Sequence, residues 1–214
     1  STNPHPDFWK HTVLRAPLPL ENDMLCICMV KDPAFWVQSL ARDPADGTFY
    51  ELVPLRQRGR DFVEERSRDV SQLFDRIKFD KRQYKDVLQL WEESLRGYLR
   101  EDYLPAAQTV LLRNEDLLFS FKPVMRALAQ RGLRWREDAP ALEPLEEPVK
   151  DETHPSATRR TRSQVLAEMG SPDQRFRRLS KQQRERLKQM DGYLTSPLGY
   201  DREDAVSTWL ATGC

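Results

Sequence analysis

Residues 24–30, Met-Leu-Cys-Ile-Cys-Met-Val, restrict the fold of this chain more than any other segment. The run is apolar throughout, has the length of a strand, and lies between turn-forming residues, Glu21-Asn22-Asp23 before it and Lys31-Asp32-Pro33 after it. Such a run suits a strand covered on both faces, as in parallel sheets. Asp32 is a good N-cap and Pro33 fits the first helical position, so a helix is expected from there through Leu40.

A buried strand followed directly by a helix is an anion-binding arrangement. The strand delivers its last residue to the carboxyl edge of the sheet, where α/β domains bind ligands. The helix offers backbone N–H groups and the positive end of its dipole. Lys31 adds a full charge at that edge, and Ser39, eight residues on, supplies a hydroxyl. The same residues would serve equally as a solvated loop lysine and a surface serine. Upstream, Trp9-Lys10-His11 precedes a stiff Ala16-Pro17-Leu18-Pro19 segment. Lys10 beside His11 would disfavour its protonation by like-charge repulsion, leaving an imidazole able to accept a proton; a capping or surface histidine is the plain alternative.

Residues 9–14 are expected to be extended and residues 61–76 a solvated helix. The clearest helix covers 81–103, with Tyr84, Val87, Leu88, Trp91, Leu95, Tyr98 and Leu99 at spacings of three and four. A second buried strand at 109–112 leads into an exit turn, Arg113-Asn114-Glu115-Asp116. A helix over 121–131 stops at Gly132. Residues 137–158 contain an acidic, proline-rich connector, extended and exposed. From residue 159 to 188 the sign reverses, with ten basic residues against three acidic, and a helix is expected over 180–194. Strands alternating with helices argue for an α/β fold with a parallel sheet flanked by helices. The reading is one domain over residues 1–200 followed by a tail.

The chain of 214 residues balances 34 basic against 34 acidic side chains, so charge gives no reason to propose nucleic-acid or membrane binding. No apolar run approaches the ~20 residues that cross a bilayer. Cys26 and Cys28 share one face of the strand, match no zinc spacing, and read as small buried apolar side chains in a reducing compartment, cytoplasmic or within an organelle.

Taken in order, these segments resemble the cytosolic-type sulfotransferases and their algal and bacterial relatives. That family has a Lys and a His ahead of a buried strand, a basic residue at the strand's end and a Ser eight positions later. A Trp-containing helix follows, here around Trp91, then a strand with a turn of the type Arg-Tyr-Glu-Asp-Leu, here Arg113-Asn114-Glu115-Asp116-Leu117. The family often closes on Leu-Gly-Tyr, here Leu198-Gly199-Tyr200. The resemblance covers residues 8–200 and implies a P-loop-like α/β fold that transfers a sulfuryl group from 3′-phosphoadenosine 5′-phosphosulfate to a hydroxyl or amine of a small-molecule or glycan acceptor. By match, Lys31 and Ser39 hold the 3′-phosphate, His11 is the general base and Lys10 stabilises charge on the transferring group. Arg159, Arg160 and Arg162 match by position the basic segment that covers the 3′-phosphate.

Two departures qualify the match. Lys31 stands where the family usually has Arg, giving a point charge without a bidentate fork. The family also begins with a strand and a Gly/Ser/Thr-rich phosphate loop carrying a catalytic Lys, and residues 1–8 contain nothing like it. The fold expected is therefore sulfotransferase-like and N-terminally truncated, with the loop supplied upstream or by another chain; with upstream sequence, a Golgi location stays open. The other readings are a non-catalytic scaffold whose exposed sheet edge is covered by a protein partner, and a nucleotide-sensing module.

Overall fold

The apolar run forms strand β1 (Cys26–Val30), and helix α1 (Pro33–Arg42) follows after two residues. The computed structural model describes residues 13–21, 24–42, 51–52, 70–79, 82–134, 143–146 and 161–201. Asp32 caps α1 as expected, its Oδ1 accepting from the Phe35 N–H at 3.1 Å. Residues 13–21 are in neither helix nor strand, and the remainder of the expected extended stretch lies outside the described residues.

A second sheet forms on either side of the segment 61–76 expected to be helical, and its last strand takes the start of the helix expected over 81–103. Strand β2 (Glu51–Leu52) pairs antiparallel with β3 (Ile77–Phe79), which pairs antiparallel with β4 (Arg82–Tyr84). Residues 61–69 lie outside the description. Residues 70–74 form a short 3-10 helix with Val70 and Leu73 buried. Ile77 and Phe79 are buried on either side of half-buried Lys78, the period-two pattern of a strand.

Helix α2 (Val87–Tyr98) is shorter than the expected 81–103. Asp86 starts it by accepting from the Gln89 N–H, so Tyr84 falls in β4. At the other end, the N–H of Leu99 reaches back to the Leu95 carbonyl and the chain leaves the helix well before Pro105. Strand β5 (Thr109–Arg113) pairs parallel with β1, Cys26 level with Thr109 and Val30 level with Arg113. Both strands thus exit at the same edge. The Arg-Asn-Glu-Asp segment is the start of a helix rather than a free turn: α3 (Asn114–Phe119) begins directly after β5.

Helix α4 (Phe121–Gln130) ends at Gly132, whose φ is 97°. The Gly132 N–H meets the Ala129 carbonyl and the Leu133 N–H the Leu128 carbonyl, the two bonds of a Schellman cap. The C-terminal part contains α5 (Arg162–Met169), α6 (Pro172–Arg175), α7 (Lys181–Lys188) and α8 (Gly192–Thr195). The single helix expected over 180–194 is two, because Asp191 caps a new start by accepting from the Tyr193 N–H.

The core gathers under α1 and α2, with Phe35, Val37, Leu73, Ile77, Leu90 and Leu95 fully buried. β1 is not covered on both faces as its composition led one to expect: Ile27 is 37% and Met29 48% exposed, whereas Cys28 and Val30 are buried. The architecture is mixed α/β with a small parallel sheet. No described helix is long and apolar enough to cross a membrane.

Candidate functional site

The common edge where β1 and β5 end is the most highly organised polar region among the described residues. Four buried polar side chains from distant parts of the chain meet there. Asp32 leaves β1, Glu115 lies in the first turn of α3, Arg175 ends α6, and Tyr200 follows a left-handed Gly199 with φ of 69°. The Asp32 N–H donates to Glu115 Oε1 at 3.0 Å, and the Tyr200 hydroxyl donates to Glu115 Oε2 at 2.6 Å. Arg175 donates to Asp32 Oδ2 from Nε at 3.0 Å and Nη2 at 2.8 Å, and to the Tyr200 carbonyl at 2.6 Å. The loop is closed: each carboxylate has donors, and the guanidinium holds strand exit and C-terminal segment together.

The surrounding residues extend the same junction. Arg113 pairs with Asp116 and donates from Nη1 to the Leu198 carbonyl at 2.8 Å. The Trp91 indole N–H donates to the Lys31 carbonyl at 2.9 Å, and its ring meets Tyr200 edge-on at 6.1 Å between centroids. Gln38, on the buried face of α1, donates to the Arg175 carbonyl at 2.7 Å. The helix around Trp91, the Arg-Asn-Glu-Asp-Leu segment and the closing Leu-Gly-Tyr therefore converge on the end of β1.

Burial sets the electrostatics. Loss of solvent, reinforced by the Asp32 carboxylate, pushes Glu115 up to about 7 against the opposing bond from Tyr200. Burial and the facing Glu115 hold the Tyr200 phenol well above its ordinary range. Asp32 is offset by Arg175, and Glu115 keeps part of its proton near neutrality. They change the character of the helix start. Pro33 has no N–H and Asp32 takes that of Phe35, so the N–H groups expected to face a ligand are partly used internally.

Lys31 and Ser39 are both half-buried, Lys31 directly after β1 and Ser39 at the end of the second turn of α1. Their chemistry, one ammonium and one hydroxyl, fits a phosphate monoester. Arg162 opens α5, where its N–H donates to the Glu146 carbonyl at 2.8 Å and its Nη2 to the Leu118 carbonyl at 2.7 Å. It anchors α5 to α3 rather than reaching out. Lys10, His11, Arg159 and Arg160 lie outside the described residues. Among the described residues no cluster of three His, Cys, Asp or Glu side chains could hold a metal ion.

A cleft of about 570 Å³ opens beside the junction, sharing Pro33, Arg175 and Tyr200 with it and bordered by Lys181, Arg184 and Lys188 of α7. That volume is ligand-sized. Asp173, Glu185 and Asp201 also line it, so charge alone does not make it an anion trap.

Arg175 is the participant that sequence reasoning missed. It lies in the basic stretch among many similar residues, and only its burial against Asp32 separates it from them. Glu115 and Tyr200 were visible as parts of short motifs, but their contact was not. No family model, curated protein or solved structure matches the chain.

Proposed function

We propose that the chain is a sulfotransferase-type domain in which Lys31 and Ser39 hold the 3′-phosphate of 3′-phosphoadenosine 5′-phosphosulfate. One observation carries the reading: the two motifs most like the family's, Arg113-Asn114-Glu115-Asp116-Leu117 and Leu198-Gly199-Tyr200, bond to each other at the strand exit that carries Lys31. A Lys and a Ser spaced across that exit are what a phosphate needs there.

When bound, the cofactor supplies the sulfuryl group. His11 removes the proton of the acceptor's hydroxyl or amine, and Lys10 stabilises negative charge beside it. Positioning and charge stabilisation outweigh the base in such chemistry, because general-base catalysis contributes only about 10²–10⁴-fold. Residues 1–8 include no Gly/Ser/Thr-rich phosphate loop, so transfer requires that such a loop be provided.

The test is calorimetry with adenosine 3′,5′-bisphosphate. The parent binds, and Lys31→Ala loses about 1.5–3 kcal/mol, the value of a charge-assisted contact. Equal affinity in the variant would remove Lys31 from the site.

The second reading is a non-catalytic scaffold, favoured by the exposed Ile27 and Met29 on β1. It predicts a chain that binds no bisphosphate.

A further inference from the structure

Cys26 and Cys28 are two residues apart on β1, and their side chains leave the same face. The rotamers bring the sulfurs together: Sγ of Cys26 lies 3.8 Å from Sγ of Cys28. Their surroundings differ. Cys28 is buried and Cys26 is partly open to solvent. The sequence alone led to two equivalent buried apolar residues, whereas the strand holds one accessible and one enclosed thiol in contact.

The contact divides the labour between them. The hydrogen bond from Cys28 lowers the Cys26 thiol to about 7. The same bond and burial push Cys28 upward. Among the described residues, Tyr98 at the end of α2 also faces the pair; burial, then the two thiols, push it up to about 12, so it stays neutral and adds no competing charge.

We propose that Cys26 and Cys28 are a reversible dithiol–disulfide pair, with Cys26 as the attacking sulfur and a low-molecular-weight disulfide as the oxidant. The Cys26 thiolate attacks one sulfur of the oxidant, breaking its S–S bond and releasing one thiolate, which takes a proton. The Cys28 thiol then loses its proton to solvent and attacks Cys26 Sγ, forming the intrachain bond and releasing the second thiolate. Two cysteine thiols are oxidised, and one small disulfide is reduced to two thiols.

Geometry makes this bond a labile one. At 3.3 Å per residue, strand Cα atoms two apart are separated by about 6.6 Å. Disulfides span roughly 4.4–6.8 Å between Cα atoms, so the bridge sits at the long limit and draws the strand into a pucker at Ile27. The Ile27 side chain is on the opposite face and is 37% exposed. A strained bridge is readily reduced again, which suits a regulatory rather than a structural disulfide. The pucker shortens β1 just ahead of Lys31 and Asp32.

The experiment uses the full chain with its third cysteine replaced, Cys214→Ser, so that only the pair is titrated. The reduced protein is exposed to oxidised glutathione and followed by intact mass. The expected result is loss of the mass of two hydrogens with no retained adduct, reversed by dithiothreitol. Adding Cys28→Ser should leave a persistent glutathionyl adduct on Cys26, and adding Cys26→Ser should leave the chain unmodified over the same period. Two free thiols after treatment of the Cys214→Ser chain would overturn the proposal, as would a stable adduct while Cys28 is present. The parent readout does not depend on either strand variant folding. Circular dichroism selects folded variants for the comparison.

Discussion

Glu115 offers a quantitative handle on the junction, because it is a fully buried carboxylate whose proton is shared between folding and pH. Burial, then the Asp32 charge, raise it from 4.5 to about 7 in the folded chain. The folded state therefore binds the proton more tightly than the unfolded state does. The associated stability is present in full below the unfolded value and is lost as pH rises through about 7. The complete gap corresponds to about 3 kcal/mol. Between pH 5.5 and pH 8 the loss is about 2 kcal/mol by the linkage relation. Glu115→Gln keeps the shape and both hydrogen bonds: the amide oxygen accepts from the Asp32 N–H and the amide nitrogen donates to the Tyr200 hydroxyl oxygen. It cannot ionise, so, to within about one hydrogen bond, the variant should exceed the parent by about 1 kcal/mol at pH 5.5 and by about 3 kcal/mol at pH 8. Urea unfolding followed by tryptophan fluorescence at the two pH values reads both quantities, and groups elsewhere cancel between parent and variant. A variant with the parent's full pH dependence would refute the assignment of that dependence to Glu115. A variant less stable than the parent at pH 8 would refute the burial argument itself.

Further outcomes follow from the same geometry. Arg175→Met leaves Asp32 buried without its counter-charge and should cost about 3–5 kcal/mol, part of which returns when Asp32→Asn is added; urea midpoints of the two chains decide it. Gly199→Ala forces a side chain into φ of 69°, while the nearest neighbour of the new Cβ, Arg113 Nη1, sits at an ordinary 3.7 Å. Backbone strain alone should then cost about 1–2 kcal/mol, visible as a lowered Tm. The 214-residue chain should show no sulfuryl transfer from radiolabelled cofactor to a broad acceptor panel. Robust turnover abolished by His11→Ala would show that the phosphate loop is dispensable.

The β1–α1 unit was readable because every signal in it is local: an apolar run, an Asp cap and a Pro at the first helical position. β5 and the Gly132 stop were readable for the same reason. The errors came where a non-local partner decides. Tyr84 continues the helical spacing of Val87 and Trp91, yet pairing with Ile77 places it in a strand. The 180–194 pattern is helical throughout, but Asp191 bonds the Tyr193 N–H and starts a new helix. Ile27 and Met29 look like core residues by composition, and only the three-dimensional arrangement leaves them exposed. The site shows the same division. Lys31 and Ser39 were proposed from spacing along one strand and one helix. The Asp32–Arg175 pair, 143 residues apart in sequence, carries no signature at either residue.

The joining of the Arg-Asn-Glu-Asp-Leu and Leu-Gly-Tyr motifs at the strand exit is tested most directly by a double-mutant cycle on Glu115→Ala and Tyr200→Phe, measured by urea unfolding at pH 8. The two residues are 85 apart in sequence and joined by a 2.6 Å bond. Contacting residues couple by about 0.5–3 kcal/mol, and a buried bond to a carboxylate belongs in the upper half of that range. A coupling of about 1.5 kcal/mol or more is expected. Tyr193→Phe, at a side chain 91% exposed, should be additive with Glu115→Ala in the same assay. Additivity for the Glu115 and Tyr200 pair would contradict the junction and separate the two motifs.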